Sequence, residues 1–248
     1  MELLRFGLIV TGDGEASFLP KLFRSIMAAA HCTFVVIRKS EQLSPITSKK
    51  RVLRMVGQGK VIPSKDEEQY GIPARRFLKE RANSFVLVID DLEGARRENV
   101  AEVFNRYRLA LNQMLEPLGL ANRASVHFLV NMLEAYYYGH CDAVNAVAKS
   151  TIIASDHPED VEAIGHPKNQ LKKLWNGFDE IEHGPAILDK LDVCHLLQRK
   201  DHCCWLRTLF HWCISRIPPE SVWDDGISEK LRLSDGCRVP LTEVQQIV

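Results

Sequence analysis

Two apolar runs that each end on carboxylates constrain this chain more than anything else in it. The first, Leu4 to Val10, leads into Thr11-Gly-Asp-Gly-Glu15; the second, Phe85-Val-Leu-Val-Ile89, ends in Asp90-Asp-Leu-Glu-Gly94. A short apolar run bounded by turn signals reads as a strand buried on both faces, the usual state of a strand in a parallel sheet covered by helices. In such sheets ligands collect beyond the carboxyl ends of the strands, and both runs deliver acids to that edge. Hard carboxylate oxygens there suit a divalent metal and phosphate-ester chemistry.

Along its length the chain alternates strand and helix signals. Strands are expected at residues 4–10, 33–37, 84–89 and 125–130, with Gly12 and Gly14 making the turn after the first. A helix follows that turn, with Leu19, Leu22, Phe23 and Ile26 on one face and Pro20 where its missing N–H matters least. Residues 38–65 mix Ser, Pro, Gly and basic side chains and read as a loop with at most a short helix. Residues 66–82 read as a helix. From 95 to 116 a single helical stripe runs through Val100, Val103, Phe104, Tyr107, Leu111, Met114 and Leu115, and Pro117 and Gly119 stop it. Alternation of this kind argues for an α/β fold with a mainly parallel central sheet flanked by helices. Beyond residue 150 the strand signal fades: 169–175, 187–198 and 205–214 read as helices, the tail from Pro218 as irregular. The expected organisation is an α/β core over 1–150 and a mainly helical C-terminal section over 151–248 packed on it.

Strand alternation sorts the acids. Asp90 and Asp91 face opposite ways in regular geometry, whereas Asp91 and Glu93, two apart, face the same way. Glu15, Asp91 and Glu93 are therefore the candidate catalytic and metal-binding set, and Glu134, just past the fourth strand, is a candidate fourth ligand. The ordinary reading of the same acids is a first-turn glutamate favoured by its helix dipole and an aspartate N-cap cluster. Lys49, Lys50 and Arg51, with Arg54 and Lys60, could track a phosphate backbone or simply form a solvated loop. Lys168 is a candidate for supporting charge on a phosphate. The tyrosines Tyr136, Tyr137 and Tyr138 read as packing residues.

Several classes are disfavoured. Lys and Arg number 32, Asp and Glu also 32, so no global basic field steers nucleic acid to this chain. No apolar run approaches the roughly 20 residues that span a bilayer, and the start lacks a signal-peptide layout. Seven cysteines without framework spacing fit reduced thiols in the cytoplasm better than a disulfide scaffold. Around His195, His202, Cys203, Cys204, His211 and Cys213 the spacing departs from that of structural zinc sites. No phosphate-binding loop or nucleophile elbow is found.

Five segments in order carry a resemblance: Leu8-Ile-Val-Thr-Gly-Asp-Gly-Glu15 through Leu19-Pro-Lys-Leu22, Asp91-Leu-Glu93, Leu133-Glu-Ala-Tyr-Tyr137, Pro167-Lys-Asn-Gln-Leu171 and His183-Gly-Pro-Ala-Ile187. Over roughly residues 5–215 the chain resembles the DUF4276 family, whose members have a Toprim-like fold. The Toprim D-x-D element then falls on Asp91-Leu92-Glu93, with glutamate in place of the second aspartate. The resemblance implies Mg²⁺ (or Mn²⁺) held by Glu15, Asp91 and Glu93 and cleavage of phosphodiester bonds in DNA or RNA, transfer RNA included. It also implies an AAA- or ABC-type ATPase partner in a hetero-oligomer, as in bacterial anti-phage modules. The competing expectation is a non-catalytic Toprim-like interaction or sensor subunit of an ATPase complex. Convergence of the three carboxylates at an open cleft would favour catalysis; divergence, or closure by salt bridges, would favour the scaffold.

Overall fold

Strand β1 (Leu4–Val10) forms where the sequence places seven residues of which only Arg5 keeps a charge, and it runs through the middle of a four-stranded sheet. It pairs in parallel with β2 (Cys32–Lys39) on one side and with β5 (Ser84–Leu92) on the other; β5 pairs in parallel with β6 (Ala124–Val130). The order β2-β1-β5-β6 accounts for all four expected strands in one parallel sheet. The computed structural model describes residues 2–44, 56–57, 60–61 and 63–239. Within the span read as a loop it adds a short antiparallel ribbon, β3 (Val56–Gly57) with β4 (Lys60–Val61).

Helices cover both faces, as the alternating periods require. One layer holds α3 (Ile72–Glu80) and α5 (Val100–Leu115), whose Phe77, Leu78, Val103, Phe104 and Leu111 pack with Val86, Val88, Val126 and Phe128. The opposite layer is larger. There Leu8, Val10, Leu87, Ile89 and Leu129 meet α1 (Asp13–Phe18), α2 (Arg24–Ala29) and the C-terminal helices α7 (Pro167–Leu174), α8 (Glu180–Leu188), α9 (Val193–Leu197) and α10 (Cys204–Ser215). One continuous apolar cluster thus joins the start of the chain to residues beyond 200. Alternation along β5 divides its side chains between the layers, Val86, Val88 and Leu92 to one and Leu87 and Ile89 to the other.

Four helix expectations need correction. The helix after β1 is broken into α1, a 3-10 turn (Leu19–Phe23) carrying Pro20, and α2. The stripe from 95 splits at Asn99 into α4 (Gly94–Glu98) and α5. The segment 187–198 is the end of α8 and the start of α9, because the Asp192 carboxylate accepts the N–H of Cys194 and His195 and opens a new helix. The tail from Pro218 contains α11 (Asp225–Arg232). Between β6 and α7 the chain makes a 3-10 turn (Leu133–Gly139) and α6 (Cys141–Ala148). The fully reduced cysteine expectation is also corrected: Cys204 and Cys237 form a disulfide, while Cys32, Cys141, Cys194, Cys203 and Cys213 are free. Among the described residues no helix is long and apolar enough to cross a membrane.

Candidate active site

The site is built at the carboxyl edge of the sheet, on the α8 side. Val10 ends β1; Thr11 and Gly12 turn the chain, and Gly12, extended at φ −103°, starts α1. Glu15 therefore lies in the first turn of α1, where the helix dipole favours a carboxylate, and it is only 9% exposed. Gly12 is required there by space rather than by its dihedrals. A Cβ on it would lie 1.7 Å from Glu15 Oε2, so the bare backbone is what lets the carboxylate lie back over the turn.

One strand over, Asp91 arrives on the same face. It sits opposite Leu129 of β6 and shares a hydrogen bond between carboxyl groups with Glu15. Its Oδ1 is buried and finds no hydrogen-bond partner. Burial first, then the charges of Glu15, Asp90, Glu134 and Glu93, push the Asp91 carboxyl well above the usual range. Glu15 is raised too, chiefly by burial and against hydrogen bonds from its own backbone N–H and Asp91. Like charges forced together each favour the other's protonated form, so both shifts run upward.

Glu134 joins them through a strained turn. Asn131 (φ +57°) and Met132 (φ +71°, ψ 167°) follow β6 in backbone regions that side-chain-bearing residues seldom adopt. Asn131 is tied down by its N–H on Leu92 O (3.2 Å) and its Nδ2 on Glu162 O (2.9 Å). The turn swings the chain into the buried 3-10 segment Leu133–Gly139. Burial raises Glu134 to about 7, with Lys168 opposing the rise and Glu180 and Glu15 adding to it.

Two further side chains come from the C-terminal helices. Lys168 lies in the first turn of α7 and Glu180 opens α8 behind the Asp179 N-cap, which accepts from the N–H of Ile181 and Glu182. They form an ion pair with each other. Burial works to lower the Lys168 ammonium, but Glu180, Glu134 and Glu93 together hold it above its ordinary range. Glu180, in turn, is felt by Glu15, Glu134 and Tyr137. All five segments of the sequence resemblance thus meet around one point: Glu15, Asp91 and Glu134, with Lys168 and the helix that holds Glu180 and His183-Gly-Pro-Ala-Ile187.

Asp90 does the opposite job on the opposite face. Fully buried, it accepts from Thr11 Oγ1 (2.6 Å), Gln42 Nε2 (3.1 Å) and Tyr107 Oη (2.5 Å), and it forms an ion pair with Arg96. Arg96 also donates to the carbonyls of Asp91 and Leu43. This network clamps the end of β5 and so fixes the backbone from which Asp91 projects. Lys39, at the end of β2, pairs with the exposed Asp13 of the glycine turn.

The candidates read from sequence fare differently. Glu15, Asp91 and Glu134 are brought together. Glu93 lies beyond the end of β5, exposed, as the residue before α4, so strand alternation no longer governs its direction. Lys168 reaches the acids, engaged with Glu180 rather than free. Lys49, Lys50 and Arg51, like Arg54, lie outside the described residues. The three tyrosines are all buried. Sequence reasoning missed Glu180 and Arg96; the Asp179 cap was the available signal for the first.

The family model for a domain of unknown function, DUF4276, matches residues 10–212. The chain belongs to the DUF4276 family. The match extends from the turn before Glu15 to α10, so every residue of the acidic site lies inside the DUF4276 region. No curated protein and no solved structure matches the chain.

The donor set of the DUF4276 site fits a hard divalent cation: carboxylates only, at a sheet edge, one oxygen of Asp91 buried without a partner. As they stand the side chains are not a preassembled shell; among the described residues no group of three acids, histidines or cysteines has metal-holding geometry.

Proposed function

We propose that this protein is a Toprim-type, Mg²⁺- or Mn²⁺-dependent nuclease that cleaves phosphodiester bonds of DNA or RNA. The observation that carries the reading is the crowding of acids at the sheet edge. Three carboxylates from separate segments are packed at the sheet edge, raised in pKa by burial and by one another, and Asp91 Oδ1 is left without a partner.

Glu15, Asp91 and Glu134 would hold the cation, with Glu93 at the mouth. When bound it supplies Lewis acidity toward a phosphoryl oxygen and an acidified water. The chain's own groups do the rest. Without a cation, burial raises the Glu134 carboxyl to about 7, so cation binding there would be linked to loss of its proton. Lys168 keeps its charge and offsets negative charge on a phosphate once it leaves Glu180. Asp90 and Arg96 hold β5 in place.

We further propose that the enzyme is a cytoplasmic effector working with an AAA- or ABC-type ATPase in anti-phage defence. A zero net charge leaves the chain without a field to find nucleic acid alone, which supports a partner that brings or gates the substrate. The second reading, a non-catalytic interaction or sensor subunit, is favoured by the Lys168–Glu180 pair over the acids and by their unassembled geometry.

The purified protein should be incubated with Mg²⁺ or Mn²⁺ and a panel of single- and double-stranded DNA and RNA, transfer RNA included, with and without the ATPase. Metal-dependent cleavage lost in Glu15→Gln and Asp91→Asn supports the nuclease. Full activity in either variant, or none in the wild type with its partner present, rejects it in favour of the scaffold.

A further inference from the structure

Beside the acids the chain leaves an open cleft of about 430 Å³, lined by Glu93, Arg97, Glu98, Asn131, Gly165 and His166. Its walls come from the three connections that also build the site: the start of α4, the turn after β6 and the approach to α7. Each carries left-handed backbone, Gly94 at φ +49°, Asn131 at +57° and His166 at +50°. For a residue with a side chain that conformation costs energy, and such costs concentrate at ligand clamps. The walls are also fixed. Arg96 anchors α4 to Asp90 and to the carbonyls of Asp91 and Leu43, and Asn131 is held on Glu162.

On these fixed walls the side chains of Arg97 and His166 are exposed and make no ion pair or hydrogen bond with a described residue. The carboxylates of Glu93 and Glu98 line the same cleft, from the α4 wall that carries Arg97. A cleft of mixed sign suits neither a bare polyanion nor an apolar ligand. It suits a nucleotide unit, whose phosphate takes donors from guanidinium and imidazole and whose sugar hydroxyls and base N–H groups donate to carboxylates. Its volume is within the range of small-ligand pockets, about 300–1,000 Å³.

We propose that this cleft seats the nucleotide next to the scissile phosphodiester, with Arg97 and His166 on its flanking phosphate and Glu98 on a sugar or base donor. The inference rests on the phosphodiesterase reading and adds to it the direction in which the strand leaves the acids. Arg97 and His166 then position the flanking phosphate, and Glu98 is the specificity-determining residue for the neighbouring sugar or base.

The test uses Arg97→Gln, His166→Gly and their combination. Glycine is the residue best suited to φ +50°, so His166→Gly removes the imidazole while relieving backbone strain. Binding of short fluorescein-labelled single-stranded DNA and RNA is followed by anisotropy in Ca²⁺ buffer; the shift of the melting temperature on adding Mg²⁺ separately reads the acids. Each single variant should lose about tenfold in affinity, the worth of one charge-assisted contact, and the double variant more. Their Mg²⁺ shift should match the wild type's. A double variant that binds within about twofold of wild type, or a wild type that binds neither strand, overturns the proposal. Binding that collapses in the double variant while the wild type never cleaves would uphold the cleft and reject the nuclease. Cleavage unaltered in the double variant would reject the cleft alone.

Discussion

Replacing Glu134 by Gln removes the charge but keeps the shape and the acceptor oxygen, and it should make the metal-free protein more stable. Burial lifts the Glu134 carboxyl from 4.5 to about 7. Because the folded pKa lies above the unfolded one, the folded state holds this proton more tightly. That contribution is fully present below pH 4.5 and is lost as pH rises through 7. At pH 8 the buried charge therefore costs about 3 kcal/mol; at pH 5, where the folded state still keeps the proton, it costs about 1 kcal/mol. In EDTA at pH 8, Glu134→Gln should raise the melting temperature by roughly 6–12 °C for a chain of this size, and by only a few degrees at pH 5. Mg²⁺ should shrink the gap at pH 8, because a cation bound to the folded wild type stabilises it by mass action and the variant has lost a ligand. Thermal unfolding followed by circular dichroism across this pH range is the measurement. A variant that is destabilised at pH 8, or whose gain is the same at pH 5 and pH 8, would refute the reasoning and mark Glu134 as a structural acid.

Gly12→Ala should abolish the Mg²⁺-induced rise in melting temperature with little change in metal-free stability, since its Cβ would occupy the place of Glu15 Oε2 and turn that carboxylate out of the site. Asp90→Asn should cost about 3 kcal/mol or more in urea unfolding, because Arg96 loses its counter-charge at a fully buried position; an unchanged midpoint would contradict the clamp. Glu162→Ala should cost about 2–4 kcal/mol by the same measurement, because the N–H groups of Trp205 and Leu206 at the start of α10 and the hydroxyl of Tyr136 lose their common acceptor. The Cys204–Cys237 disulfide closes a loop of sequence separation 33, so reductant should lower the stability of the oxidised wild type by about 3–4 kcal/mol and leave Cys204→Ser unmoved.

What could be read from the sequence followed from periods of two. Strands buried on both faces show as unbroken apolar runs, so β1, β5 and β6 stand out, and alternation separated Asp90 from Asp91 before any packing was known. The same rule could not see that β5 ends at Leu92, which leaves Glu93 at the surface before α4. Helices were less legible. Apolar periodicity runs straight across Asn99, where the backbone leaves the helical region, and across residues 189–192, where the Asp192 cap opens a new helix, and a stripe registers neither. Arg96 reads as one charge in a short polar helix; only the fold carries it to Asp90.

Glu180 was the least legible residue because its Asp179 cap marks a helix start but not what that helix packs against. It comes within reach of Glu15 only when α8 packs on α1. That dependence says how the site is divided. The sheet supplies Glu15 and Asp91, and a turn past β6 supplies Glu134. The cation that limits their repulsion and the helix that covers them come from residues beyond 165. A chain cut near residue 150 would keep the three acids and lose Lys168 and Glu180, along with the buried faces of α7, α8 and α10 that complete the apolar layer under them. The helical section therefore belongs to the acidic site as well as to the core: it supplies the ammonium group nearest the acids of the sheet edge.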